Sequence, residues 1–445
     1  MDSPQLTALV AADLSRVNAA WQAESDTRQV IAGQGHQQLI GQLFPGINPT
    51  LLQANKDTPN YLQQGTARYV RALTRGALNW EWEGGDQEPD PRLSPGAYLN
   101  SRGRDLVQDA TTDALVAGKF AYFPFVGPDG RFRVVTLAGF LWPVYAPGDV
   151  SEIVAVLQIN SYMLGDKKLY EVRRYLPGLL EVYSGLEDWQ KYAAATPQTF
   201  DQAHARGRLP VAFRIVGRDA NREPEGLAQT ALSAYRRYVK YAVLVGLLAT
   251  RGGFEERVVK SDLLASLVRD NPRHPMAQDL KDVGPNKLRV MDAGGTYDRL
   301  SPVALADYRE QEAAARADVR DAMNMPDTGG DLSGEALAEK REAYTESVES
   351  FGGSIGDALT EVHELGAALR PAELRSGYRV TLEPRFTRDV EGERRVLLEE
   401  YKAGLPKSAW FSGLQSLGVS QITEAHVEQA RAEEEALSVR PGEGG

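Results

Sequence analysis

LPVAFRIVGRDANREPEGLAQTALSAYRRYVKYAVLVGLLATRGG, residues 209–253, carries three successive signals in one run. LPVAFRIV is a short apolar strand pattern, GRDANREPEG is a polar turn, and the turn ends at a helix start. From residue 226 onward Leu227, Ala231, Tyr235, Tyr238, Ala242, Val245 and Ala249 recur at three- and four-residue spacing, which puts them on one side of a long helix. Its roughly 25 residues, at about 1.5 Å each, would reach about 37 Å. Tyr235, Tyr238 and Tyr241 on this helix suit packing better than base stacking.

Toward the N-terminus, residues 1–115 read as mainly helical, in LTALVAADLSRVNAAW, GTARYVRALTRGAL and SRGRDLVQDATTDALVAG, with NWEWEGG alternating as a strand does. Residues 119–184 read as short antiparallel strands with tight connections: KFAYFPFV, RFRVVTL, SEIVAVLQIN, KKLYEVRRYL and LLEVYSG. Residues 187–208 look like a loop. Toward the C-terminus, residues 254–302 are broken up by NPRHP, VGPNK and DAGG, and ALADYREQEAAARADVRDAMNM forms a second helix over 304–325. A third helix runs to about residue 369, with Gly352, Gly353 and Gly356 read as a kink. GYRVTLEPRF is a strand, and the last sixty residues read as three further helices. The expected fold is therefore α+β and mainly helical.

Between the second and third helices lies MNMPDTGGDLSGEALAEKREAY, residues 323–344. Pro326 biases Met325 away from the helical region, and the paired glycines Gly329 and Gly330 permit positive φ. Asp331, Ser333 and Glu335 suit a helix start, where free N–H groups need oxygen partners. A loop of this make-up can shift while its flanking helices stay fixed. The plainer alternative is an ordinary surface connection.

At 445 residues the chain is long enough for two or three domains with apolar cores. Its apolar fraction of 42% and charged fraction of 25% are those of ordinary globular protein. The longest apolar run, residues 241–250, is too short to span a bilayer, and the start shows no basic export signal, so no membrane association is expected. The absence of cysteine rules out disulfides and thiolate chemistry and fits a reducing compartment. A net charge of −11 argues against a broad basic face that grips nucleic acid, though not against a protein that DNA passes through.

The search for chemistry is nearly empty. The five histidines have no ligand spacing, so neither a metal nor another cofactor is expected. GGDLSG lacks the lysine and hydroxyl of a phosphate loop, and there is no nucleophile elbow. No pair of carboxylates stands apart from the solvated helix faces, and no catalytic residue is assigned. The chain reads as a non-enzyme.

The order of LPVAFRIVGRDANREPEGLAQTALSAYRRYVKY, a punctuated insertion, KLRVMDAGGTYDRLSPVALADYREQEAAARADVRDAMNMP and SGEALAEKREAYTESVESFGGSIGDAL resembles the portal proteins of tailed bacteriophages, most closely over residues 209–359. That resemblance implies a ring, usually a homododecamer, at one capsid vertex of the virion, made in the host cytoplasm and encircling double-stranded DNA during packaging and ejection. It implies as partners the terminase packaging motor, the head–tail adaptor and the major capsid protein. It also divides the chain: a wing at 1–225 and 335–387, stem helices at 226–250 and 304–325, a clip at 251–303, a tunnel loop at 326–334 and a helical crown at 388–445. Pro326, Asp327, Thr328, Gly329, Gly330, Asp331, Leu332, Ser333 and Gly334 would then form the channel loop. Asp307, Glu310, Glu312, Asp318 and Asp321 would be candidates for a weakly repulsive channel wall. The competing readings are an oligomeric scaffold without DNA passage and a hydrolase using carboxylates of the β-rich block.

Overall fold

The computed structural model describes residues 14–43, 58–85, 90–205, 207–252, 257–271, 288–291, 294, 305–325, 334–386, 398, 401, 406–416 and 424–438. The fold is α+β and mainly helical, as expected. It divides into two compact units, Met1–Met325 with Tyr344–Pro384, and Pro326–Ala343 with Arg385–Gly445.

In chain order the elements are α1 (Leu14–Ile31), α2 (Gln34–Leu43), α3 (Tyr61–Thr74), β1 (Ala77–Trp82), α4 (Gly96–Ala117), β2 (Lys119–Val126) and β3 (Phe132–Thr136). Then come β4 (Phe140–Ala146), β5 (Asp149–Leu164), β6 (Lys167–Leu176), β7 (Leu179–Leu186), β8 (Gln198–Asp201), β9 (Ala212–Ile215), α5 (Leu227–Thr230) and α6 (Leu232–Gly252). They are followed by β10 (Arg257–Lys260), α7 (Asp262–Asp270), β11 (Leu288–Met291), α8 (Leu305–Ala322), α9 (Gly334–Leu369) and β12 (Tyr378–Glu383), and in the second unit by α10 (Lys407–Ser416) and α11 (Glu424–Ser438). Of the first of the three C-terminal helices expected, all but Leu398 and Tyr401 lies outside the described residues.

The β-rich block forms two antiparallel sheets, ordered β3-β2-β9 and β4-β5-β6-β7-β8. Two of their strands go beyond the sequence reading. β4 carries Pro143 in mid-strand, opposite Val156, and it is tolerated because β4 is a sheet edge, where a missing N–H breaks no ladder. β8 is the opposite edge, four exposed residues inside the stretch that reads as loop.

Two of the apolar cores join helices to these sheets. Tyr69 and Leu73 of α3, Leu106 and Ala110 of α4, Phe120 of β2 and Val348, Phe351 and Ile355 of α9 form one, beneath the β1–β12 pair. The other lies between the five-stranded sheet and α1, where Val17 and Trp21 meet Phe140, Val172 and Trp189. The glycines read as a kink leave α9 a single helix. A side chain at Gly352 would meet the Leu382 carbonyl oxygen at 3.1 Å, and one at Gly356 the Val380 oxygen at 2.9 Å. Both positions therefore serve the close crossing of β12. Thr360 ties the same crossing, its Oγ1 accepting from the Val380 N–H at 2.8 Å.

A buried charge cluster fastens α1 to this frame. Glu24 accepts from Lys119 at 3.1 Å and from Arg28 at 2.8 Å, and Arg28 also reaches Asp113 of α4 at 2.8 Å. Burial pushes the Asp113 carboxyl up to about 6, outweighing the guanidinium beside it. A carboxyl that holds its proton more tightly folded than unfolded contributes stability below its unfolded pKa and loses it as pH rises through the folded one. The Asp113→Asn variant should therefore gain stability relative to wild type between about pH 4 and pH 7. Urea midpoints measured at both ends of that range would show it, and a constant difference would contradict the shift.

Candidate channel wall and loop anchor

The polar turn after β9 fixes where the helix pair begins. Asp219 Oδ1 accepts from the Asn221 and Glu223 N–H groups at 2.9 and 2.8 Å, and Gly118 and Gly226 let this turn lie against the end of α4. The long helix expected over 226–253 is broken after Thr230 into α5 and α6.

α6 packs along α8 through Tyr235, Tyr238, Val239, Ala315 and Val319. Tyr235 and Tyr238 are buried, Tyr238 meeting the Tyr61 ring edge-on at 5.0 Å. Burial raises both phenol pKa values well above the ordinary tyrosine range. They pack the helix pair, as the sequence suggested.

α8 sorts its side chains by face. At about 100° per residue, Ala315, Val319 and Ala322 point one way and Asp307, Glu310, Asp318 and Asp321 fall within an arc of about 80° on another side. All four of these acids are exposed. Glu312 is half-buried on the packed side, and its charge acts on Tyr238. The structure thus gathers four of the five candidate wall residues and separates the fifth. Arg309, Arg316 and Arg320 occupy a third face, Arg320 lying over the Tyr61 ring at 5.5 Å. Asp318 is engaged by Arg237 at 3.0 Å, an exposed pair that adds little to stability.

The second helix ends at Ala322 and not at 325. Asn324 adopts a left-handed φ of 48°; its N–H donates to the Asp321 carbonyl at 3.0 Å and the Met325 N–H to the Arg320 carbonyl at 2.8 Å. These two bonds are the Schellman pattern, with asparagine in the place usually taken by glycine. An Asn followed two residues later by Pro326 was the available signal for this stop.

The end of α8 is tied to α3 and to α9. The Tyr69 hydroxyl donates to the Met323 carbonyl at 3.0 Å while its ring meets Tyr344 edge-on at 5.0 Å. Asn324 Nδ2 donates to Ser347 Oγ at 2.9 Å. Met323 and Met325 are buried over Gly65, where a Cβ would lie 2.8 Å from the Met325 sulfur. Of the nine loop candidates, Pro326, Asp327, Thr328, Gly329, Gly330, Asp331, Leu332 and Ser333 lie outside the described residues, and Gly334 is the first residue of α9.

Elsewhere three buried carboxylates are occupied: Glu24 by Arg28 and Lys119, Asp113 by Arg28, and Glu181 by Arg174. His363 is a core residue, its Nε2 bonded to the Arg375 carbonyl at 2.9 Å. Among the described residues no group of three or more His, Asp or Glu could hold a metal ion. No described helix is long and apolar enough to cross a membrane.

No protein-family model matches the sequence, and no curated protein matches it. Among solved structures, a chain from "Neck of empty GTA particle computed with C6 symmetry" is similar at 15% identity with a TM-score of 0.38, over 83% of this chain and 94% of that one. The functional reading therefore rests on the geometry of this chain.

Proposed function

We propose that the chain is a portal-type subunit that forms a ring around double-stranded DNA at one vertex of a phage-like capsid. It has no catalytic role of its own and meets the packaging motor, a head–tail adaptor and the capsid shell. The observation that supports this reading best is the α6–α8 pair: a helix packed on one side, with exposed acids on another, its end tied to α3 and α9 just before the glycine-rich segment begins. A conduit must not hold its cargo, and each lysine that neutralises a phosphate adds affinity and slows release. An acidic face avoids that attraction. In this reading Pro326 to Gly334 is the channel loop, the segment between α6 and α8 the clip, and α10 and α11 belong to the crown.

Replacing Asp307, Glu310 and Asp321 with lysine tests the wall, since these three sit on the exposed face and Asp318 is left to Arg237. Packaging by assembled rings should slow several-fold at low salt and recover as salt screens the new attraction. Rates equal to wild type at every ionic strength would contradict the assignment.

A further inference from the structure

The five-stranded sheet carries an apolar tip at one end and a cleft at the other. β5 has sixteen residues and so extends about 50 Å. β4 pairs with it only as far as Ile159, and β7 reaches β6 only from Tyr170, so residues 160–169 project as a two-stranded tongue turning at Gly165 and Asp166. Residues 161–168 are all exposed, with Tyr162, Met163 and Leu164 at 40, 64 and 66%. Tyr162 and Leu164 share one face of this ribbon and Met163 lies on the other; large apolar side chains on a solvated tip are not needed by the fold and mark a contact surface. Lys167 and Lys168 stand opposite Leu164 and Met163, with Asp166 in the turn and Glu187 at 3.6 Å from Lys167.

At the other end of β5 the connection from β4 borders a cleft of about 230 Å³, far larger than the roughly 30 Å³ share of one water. Val144, Tyr145, Pro147 and Val150 give it an apolar lining, Val150 being 46% exposed. Glu223 supplies its acid: one carboxylate oxygen meets Arg16, and the other is buried without a hydrogen-bond partner in the structure. Arg16 and Arg222 also line the cleft, and Asp149 and Glu152 flank it. An orphaned carboxylate oxygen beside an apolar recess calls for a cation carried next to apolar side chains, and the tongue presents that pair.

We infer that the occupant of the cleft is the tongue of a second copy of this chain, Leu164 entering the recess and Lys167, opposite it on the same face of the ribbon, reaching Glu223. Donor and acceptor surfaces differ, so the contact is head-to-tail, the kind that closes rings or extends filaments. The inference rests on the ring reading above for closure, and its test separates the two.

The chain has no cysteine, so Leu164→Cys combined with Val150→Cys introduces the only thiols. Mild oxidation should give a ladder of cross-linked multimers from the double variant and none from either single variant. In parallel, Met163→Glu with Leu164→Glu should raise the concentration needed for assembly at least tenfold while leaving thermal unfolding of the subunit unchanged, because both side chains are exposed. Absence of the ladder, dimers from Leu164→Cys alone, or wild-type assembly of the glutamate variant would overturn the docking. Closed rings without a ladder leave the ring reading intact and remove this contact. A ladder built from open chains keeps the contact and removes the ring.

Discussion

Replacing Glu181 with leucine should destabilise the protein by about 3–5 kcal/mol, and replacing Arg174 and Glu181 together with leucine should cost far less. Arg174 is fully buried in β6 and stands directly across from Glu181 of β7. Its Nε donates to Glu181 Oε2 at 2.6 Å, and the Tyr183 hydroxyl donates to the same oxygen at 3.2 Å. The guanidinium also lies over the Tyr183 ring at 5.7 Å. Removing the carboxylate alone leaves a cation where no water reaches, whereas removing both charges leaves an apolar site between two strands. Denaturant midpoints of the two single variants and the double variant form a cycle that measures this coupling. Singles within about 1 kcal/mol of wild type would show that water reaches the pair in solution.

Gly118→Ala should be comparably severe. Gly118 ends α4 with φ at 66°, a conformation that costs a residue with a Cβ about 1–2 kcal/mol. Here the added carbon would also lie 2.6 Å from the backbone nitrogen of Glu225 and collide with its carbonyl oxygen. That backbone belongs to the turn leading from β9 into α5 and α6, so relief of the clash must move the start of the helix pair. We expect a fall in the unfolding midpoint equivalent to more than about 3 kcal/mol, strain and overpacking together. Gly130 is the control: its φ is 76° but a Cβ there meets open space, so Gly130→Ala should cost only the conformational term. Equal effects at the two positions would mean that the turn yields easily.

The contrast between these two glycines shows where sequence reading stops. A glycine announces freedom of φ but not what lies opposite it, and Gly352 and Gly356 read as a kink because β12 is invisible from their neighbours. Periodicity served well where one face is buried over many residues: α4, α6, α8, α9 and the strands β2, β3, β5, β6 and β7 were legible. It failed at edges. The sequence does not say that β4, with Pro143 in it, pairs on one side only, and β8 is too short and too exposed to show a pattern.

The candidate wall was legible in part. Asp307, Glu310, Asp318 and Asp321 share a face by helical spacing alone, which the sequence contains. That Glu312 turns toward Tyr238 depends on which side α6 packs, a tertiary fact. The loop anchor was hidden for the same reason. Tyr69 comes from α3, Tyr344 and Ser347 from α9 and Asn324 from the turn after α8, and the bonds that tie this turn join residues up to 254 positions apart in sequence.

A class-averaged top view of the purified, assembled protein by electron microscopy decides whether the subunits close into a ring around a channel. Closed rings of uniform subunit number, with a central hole wide enough for a DNA duplex, are expected. Compact particles without a hole, or a stable monomer at micromolar concentration even in the presence of capsid partners, would contradict the ring.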